Sequence, residues 1–210
     1  MADALTLVGR SSSHFTRVAR MFALDLGVSL AFRPVLDMTS LDRAAYGDNP
    51  ALKVPVLTDE AGALFGTENI CRELARRSGR RDQVILRGDL ASRLVANAEE
   101  MILHGMQTDV TLVIQANSGA NSGGDAASPK LRRSLENVLG DLNAHVDELV
   151  AALPSGRLVS FCETALYCLV THLPWRKVLA IERYGRLAAF GARYGERASA
   201  RATAYRFDAA

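Results

Sequence analysis

Apolar residues follow two periods in the first part of this chain and one period in the rest. Leu5-Thr6-Leu7-Val8 is a short apolar run of strand type, and Gly9 to Ser13 form a polar loop behind it. Phe15, Val18, Ala19, Phe22 and Leu26 then share one face of a predicted helix, which Gly27 closes. Ser29 to Val35 read as a second strand, and a short helix is expected around Asp42 to Tyr46. Val56 to Thr58 make a third strand, Asp59-Glu60-Ala61-Gly62 a hairpin loop, and Ala63-Leu64-Phe65 the return strand. Thr67 is placed to cap a helix with Ile70, Cys71 and Leu74 facing inward, ending near Gly79. Strand-helix-strand, hairpin and helix together predict a compact α/β unit.

After Gly79 the period becomes helical throughout. Arg80-Arg81-Asp82 reads as a solvated, charged linker. Leu90, Leu94, Ala98, Met101 and Ile102 recur at helical spacing and continue toward Ile114. Asn117 to Ser128 is small and polar and reads as a mobile loop; its glycines match no phosphate-binding pattern. Pro129 is expected to start a helix with a stripe from Leu131 through Leu135, Leu142 and Leu149. Ser160-Phe161-Cys162-Glu163 has the form of a capping box, in which each side chain satisfies a backbone N–H. Leu166, Leu169, Val170 and Leu173 then bury a helix, Pro174 opens another with the lone Trp175, and a last one spans Gly185 to Tyr194. The arginine-rich tail from Glu196 has no clear pattern. The expected division is residues 1–79 and residues 88–210.

Composition narrows the function. The chain has 210 residues, 49% hydrophobic and 23% charged, as in ordinary globular proteins. A net charge of +2 gives no reason to expect nucleic acid or a membrane surface as partner. No signal peptide or membrane-spanning run is expected. Cys71, Cys162 and Cys168 fall in predicted helices without metal-ligand spacing. They read as free thiols in a reducing compartment, most simply the cytoplasm, and no metal is expected.

The most informative stretch is Asn49-Pro50-Ala51-Leu52-Lys53-Val54-Pro55-Val56-Leu57. Pro55 cannot donate to a ladder, so it belongs at the first residue of a strand. Val54, preceding a proline, is held extended, and its backbone groups are left for something outside the sheet.

These elements in this order resemble the glutathione S-transferase superfamily. The resemblance rests on the Asn-Pro-x-x-Lys-Val-Pro-Val-Leu turn inside the α/β unit and the Ser-x-x-Glu cap late in the helical part. It implies a thioredoxin-like first domain followed by an all-α domain, a homodimer, and glutathione as co-substrate. Carried over residue by residue, it implies that Val54, before Pro55, pairs its backbone with the cysteinyl part of glutathione. Lys53 would reach the glycyl carboxylate, or else is a surface lysine. The γ-glutamyl contacts fall on Gly66 and Thr67. Thr67 fits, by its hydroxyl and the helix N-terminus; Gly66 offers no side chain to the γ-glutamyl ammonium, and Glu68 is the nearest substitute.

The resemblance also implies a hydroxyl or thiol after the first strand, beside the glutathione sulfur. An ungapped match places it at Ser13, and a one-residue gap at Ser12; His14 stands where the family usually has proline. A free thiol has a pKa of ~8.5, and one hydrogen bond to a charged group contributes ~1.5–3 kcal/mol, enough to lower it by roughly one to two units. Ser13 reads equally well as a plain helix cap. Arg17 supports the site or faces solvent. Met101, His104, Met106 and Thr108 are candidates to line a second-substrate cleft, which Gly105 would widen by kinking its helix. The leading expectation is a glutathione transferase acting on a small electrophile. The alternatives are a non-catalytic glutathione- or ligand-binding scaffold, and a glutathione-dependent isomerase or dehalogenase.

Overall fold

The computed structural model of the chain describes residues 5–117 and 127–209. Most of the stretch read as a mobile loop, residues 118–126, lies outside the described residues.

The first part is the expected α/β unit. Strand β1 (Thr6–Gly9) is followed by α1 (His14–Leu26) and β2 (Ala31–Pro34). A single 3-10 turn at Arg43–Tyr46 precedes β3 (Val56–Asp59), β4 (Gly62–Phe65) and α2 (Thr67–Ser78). The sheet order is β2-β1-β3-β4, with β1 parallel to β2 and antiparallel to β3. That is the thioredoxin-like arrangement. Its core is the inner face of the sheet, Leu7 and Leu57, against Val18, Phe22, Ile70 and Leu74, all buried. Gly27 ends α1 in the left-handed region at φ 70°, which costs glycine nothing. Gly9 serves closeness instead: a Cβ there would lie 2.4 Å from Thr16 Cγ2, so β1 and α1 could not meet.

The second part is helical. It comprises α3 (Arg93–Asn117), α4 (Ala127–Ala152), α5 (Phe161–Trp175), α6 (Gly185–Tyr194) and a short α7 (Ala198–Ala202). Helix α5 is the axis: from Phe161 to Val170 every residue is buried, because α1, α3 and α6 surround it.

Several expectations need correction. The charged linker is structured: Arg81 grips Asp89 at 2.7 and 2.9 Å, and Val84–Ile85 (β5) pairs in parallel with Val159–Ser160 (β6). The capping box is half formed. Ser160 Oγ accepts from the Glu163 amide at 3.3 Å, but Glu163 turns its carboxylate to Arg157, at 2.6 and 2.7 Å. A charged partner at that range outcompetes a backbone amide. Pro174 opens no helix; it lies in the last turn of α5. Helix α4 starts at Ala127, two residues ahead of Pro129. Gly105 widens nothing: a Cβ there would sit 3.0 Å from Leu169 Cδ2, so it lets α3 pack on α5.

Candidate functional site

The sheet register gathers three segments at one end. Val56 stands opposite Val8 on one side and Phe65 on the other. The chain leaves β1 just past Val8 into the Arg10–Ser13 loop, enters β3 from Val54-Pro55, and leaves β4 at Phe65 into Gly66 and α2. The Thr67 hydroxyl donates to the Phe15 carbonyl at 3.4 Å, which fastens the start of α2 to the start of α1. Ser12, Ser13, Val54, Pro55 and Thr67 are therefore at one rim.

Ser13 is the N-cap of α1, its Oγ accepting from the Thr16 amide at 3.2 Å. The cap uses a lone pair and leaves the O–H free to donate. The two readings of this residue are thus compatible, and a donated amide hydrogen bond makes the hydroxyl a stronger donor. Ser11 is committed elsewhere: its amide donates to Asp208 at 2.8 Å and its hydroxyl accepts from Arg20 at 3.3 Å. Ser12 is half-buried, and its carbonyl accepts from His172 Nε2 at 3.0 Å.

The Val54–Pro55 bond is cis. Val54 lies outside the β3 ladder and is half-buried, while Pro55 is buried. Asn49 reaches under this turn, donating its side-chain amide to the Lys53 carbonyl at 2.8 Å. The Lys53 side chain is exposed.

At α2, one expectation fails. Gly66, at φ 89°, is the N-cap position, and no side chain caps the helix. Thr67 is its first residue, with its hydroxyl spent on Phe15 rather than on an α2 amide. The N-terminus is thus left uncapped, with the positive end of the helix dipole facing the rim. Glu68 is no free substitute for a missing Gly66 side chain: its carboxylate holds Arg72 at 3.1 Å and approaches Arg87 at 3.8 Å.

None of the thiols can serve. Burial pushes all three up, Cys168 to about 12, so none is ionised near neutrality.

Behind the rim lies a polar junction that the hydrophobic pattern did not reveal. Arg17 is buried, not solvent-facing. It donates to Thr203 at 3.3 Å, Thr171 at 3.1 Å, Tyr167 at 3.0 Å and the Ala200 carbonyl at 3.0 Å. Its guanidinium also stacks 4.2 Å from the Tyr205 ring centre. This places the tail: Tyr205 donates to the Cys168 carbonyl at 2.7 Å, and Asp208 reaches Ser11. Next to Arg17, His14 packs edge-on against His172, and both face Asp109 of α3. Burial pushes the His14 imidazole down to about 4. Burial also lifts the Asp109 carboxyl, but hydrogen bonding to the two imidazoles outweighs it and holds that group below its ordinary value.

The candidates for a second-substrate cleft do not gather there. His104 meets Ser134 of α4 at 3.1 Å, and Met101 lines a shallow groove of about 450 Å³ between α3 and α4 with Leu142 and His145. Met106 and Thr108 are buried.

Comparison with known proteins agrees with this architecture. Residues 7–82 match the family described as glutathione S-transferase, N-terminal domain. A glutathione S-transferase from Methylobacillus flagellatus KT, solved with GSH bound, superposes with a TM-score of 0.80 at 20% identity, over 97% of this chain and 100% of that one. A glutathione transferase family member from Pseudomonas fluorescens Pf-5, with bound glutathione, gives the same TM-score of 0.80, identity of 20% and coverage of 97% and 100%. A third, from Methylobacterium radiotolerans JCM 2831 in complex with glutathione sulfonate, gives 0.78 at 17% identity, over 99% and 97%. A search of curated proteins finds no match. The first part of the chain thus matches the glutathione S-transferase N-terminal family over residues 7–82, and its whole length has the fold of these glutathione S-transferase structures.

Proposed function

We propose that this protein is a glutathione transferase that activates the glutathione thiol at Ser13 for attack on a small electrophile. The observation that carries the reading is the Thr67–Phe15 contact, which sets an uncapped helix N-terminus beside the Ser13 loop. An anion at that N-terminus meets free amides and a favourable dipole. In the proposed complex, the γ-glutamyl carboxylate takes that place beside Thr67. The cysteinyl backbone pairs with Val54 before Pro55, and Lys53 reaches the glycyl carboxylate. The sulfur then comes to the Ser13 hydroxyl, with Ser12 the neighbouring alternative. Hydrogen bonding and the α1 dipole stabilise the thiolate once its proton has left to solvent; the sulfur then bonds to the electrophilic carbon as that carbon's leaving group departs, or as its π bond opens and takes up a proton. The similar structures with glutathione bound support this use of the fold. We place the division at residues 1–79 and 88–210, the working form as a homodimer and the location in the cytoplasm. Among the described residues no helix is long and apolar enough to cross a membrane.

A second reading has a specific observation behind it. Gly66 gives the γ-glutamyl ammonium no side chain, and Glu68 is held by Arg72. A scaffold or ligand carrier on this fold would show just that loss. Calorimetric titration with glutathione separates the two. The transferase reading expects saturable binding at or below millimolar concentration, weakened in Thr67→Val. No heat at millimolar glutathione would favour the scaffold. A screen that found only isomerisation or dehalogenation with glutathione would move the reaction to that class and keep the site.

A further inference from the structure

Three buried side chains that the glutathione reading leaves unused meet where α1, α3 and α5 join. His14, Asp109 and His172 are 1%, 0% and 4% exposed. One donor atom from each lies within 4.8 Å of the other two.

His172 poses the chemical question. Its Nε2 is 3.0 Å from the Ser12 carbonyl oxygen. A carbonyl only accepts, so that nitrogen carries the proton. In the neutral ring Nδ1 is then a lone pair, and it faces the Asp109 Oδ2 at 2.5 Å. Two lone pairs at that distance need an electrophile between them. A proton would answer this one contact. It would leave Asp109 Oδ1 without a hydrogen-bond partner among the described residues, and His14 with only long approaches to Asp109 and the Met106 backbone, neither in good hydrogen-bond geometry. Each buried polar atom left so carries an uncompensated desolvation cost. His14 Nδ1 lies 3.4 Å from the same Asp109 Oδ2. Two ligands bound at ~2.0–2.1 Å to a tetrahedral ion stand ~3.3 Å apart, so this spacing already fits. The His172 contact would open by less than an ångström. Its Nε2–H to a backbone carbonyl is the outer-shell bond that fixes the tautomer of a metal-ligating histidine. The nearby Arg176 is stacked over Trp175 and Phe207, 5.4 and 5.5 Å from their ring centres, rather than paired with Asp109.

We infer that His14, Asp109 and His172 form a divalent-cation site, with zinc the best match to two imidazoles and one carboxylate. The ion ties the start of α1 to α3 and α5, and through His172 it holds the carbonyl of Ser12 in place. Water fills the fourth position. The inference is independent of glutathione binding.

The test uses the full chain, stripped with a chelator and free of glutathione, with Co²⁺ as probe. The expected result is one Co²⁺ per chain and visible d–d absorption of four- or five-coordinate type. Zn²⁺ should displace the probe, and thermal unfolding should come later in Zn²⁺ than in chelator. His14→Ala should weaken uptake by more than the roughly 10–100-fold that losing an outer-shell partner costs. No uptake by the folded wild-type chain overturns the inference, as does an octahedral spectrum. Equal affinity in His14→Ala does so too, assigning the metal to exposed His104 or His145. Should His14→Ala not fold, X-ray absorption on the wild-type cobalt form decides: two imidazoles support the site, and one or none overturns it.

Discussion

Ser13 and His14 are neighbours in sequence, yet they serve two surfaces of opposite character. Ser13 faces the rim, where Val54 and the bare end of α2 leave backbone groups open and the Lys53 side chain is exposed. His14 faces the junction, where buried polar groups from α1, α3, α5 and the tail meet one another. The rim is built by local rules: a proline before a strand, a serine cap, a helix without one. The junction is built by partners far apart in the chain, His172 meeting Asp109 across 63 positions and Arg17 meeting Thr203 across 186. One residue of offset on α1 thus separates a surface that can take a ligand from one that holds the two halves together.

The junction should break first. Arg17→Ala removes four hydrogen bonds and leaves three hydroxyls and a carbonyl with fewer partners in the interior. With charged hydrogen bonds at ~1.5–3 kcal/mol each, and the burial cost of the cation relieved, a net loss of roughly 2–4 kcal/mol is expected. Scanning calorimetry should show a midpoint lower by roughly 5–15 °C for a chain of this size. A shift below a degree would mean that the clamp adds no stability.

The rim should respond in chemistry rather than stability. Ser13→Ala should slow glutathione conjugation by ~10–100-fold, from a lost hydrogen bond of ~1.5–3 kcal/mol to the thiolate. Its stability cost is that of a lost cap, ~1 kcal/mol. Equal loss of rate from Ser12→Ala with Ser13→Ala silent would move the role by one residue.

Legibility divides along the same line. The helical stripes, the hairpin and the Val54-Pro55 turn follow from period and backbone chemistry, so sequence reading placed them close to where they lie. Strands β5 and β6, of two residues each, have no period to read. Asp109 and His172 sit within helices as single polar residues, and only folding shows that they face each other. The available signal was their place on apolar helix faces, where a lone carboxylate and a lone imidazole each need a partner. Arg17, next to Val18 on α1, carried the same signal. Glu163 shows the limit of motifs: its spacing fits a capping box, but Arg157, six residues back, is a stronger partner.

Buried Glu99 offers a subtler comparison with these satisfied groups. Burial pushes its carboxyl up to about 7, against its Gly88 amide contact and Arg87. A raised acid favours the folded state while protonated. Its contribution is full below the unfolded value near 4.5 and is lost as pH rises through about 7. Glu99→Gln should therefore be more stable than wild type by roughly 1–2 kcal/mol at pH 8, after allowing for solvent screening, and the gain should vanish near pH 4.5. Urea titrations at the two pH values would show it; a gain independent of pH would contradict the assignment. Smallest is Lys53→Ala, an exposed charge, expected to weaken glutathione binding by less than ~1 kcal/mol and only at low salt.

The central claim is that the rim ionises a thiol. The direct measurement is the ultraviolet absorbance of glutathione thiolate titrated against pH on the protein, in wild type and Ser13→Ala. The account predicts a bound thiol below its free value of ~8.5 by roughly one to two units, and a return toward that value in Ser13→Ala. Bound glutathione that titrates as it does free in solution, or a lowered value untouched by Ser13→Ala, would contradict it.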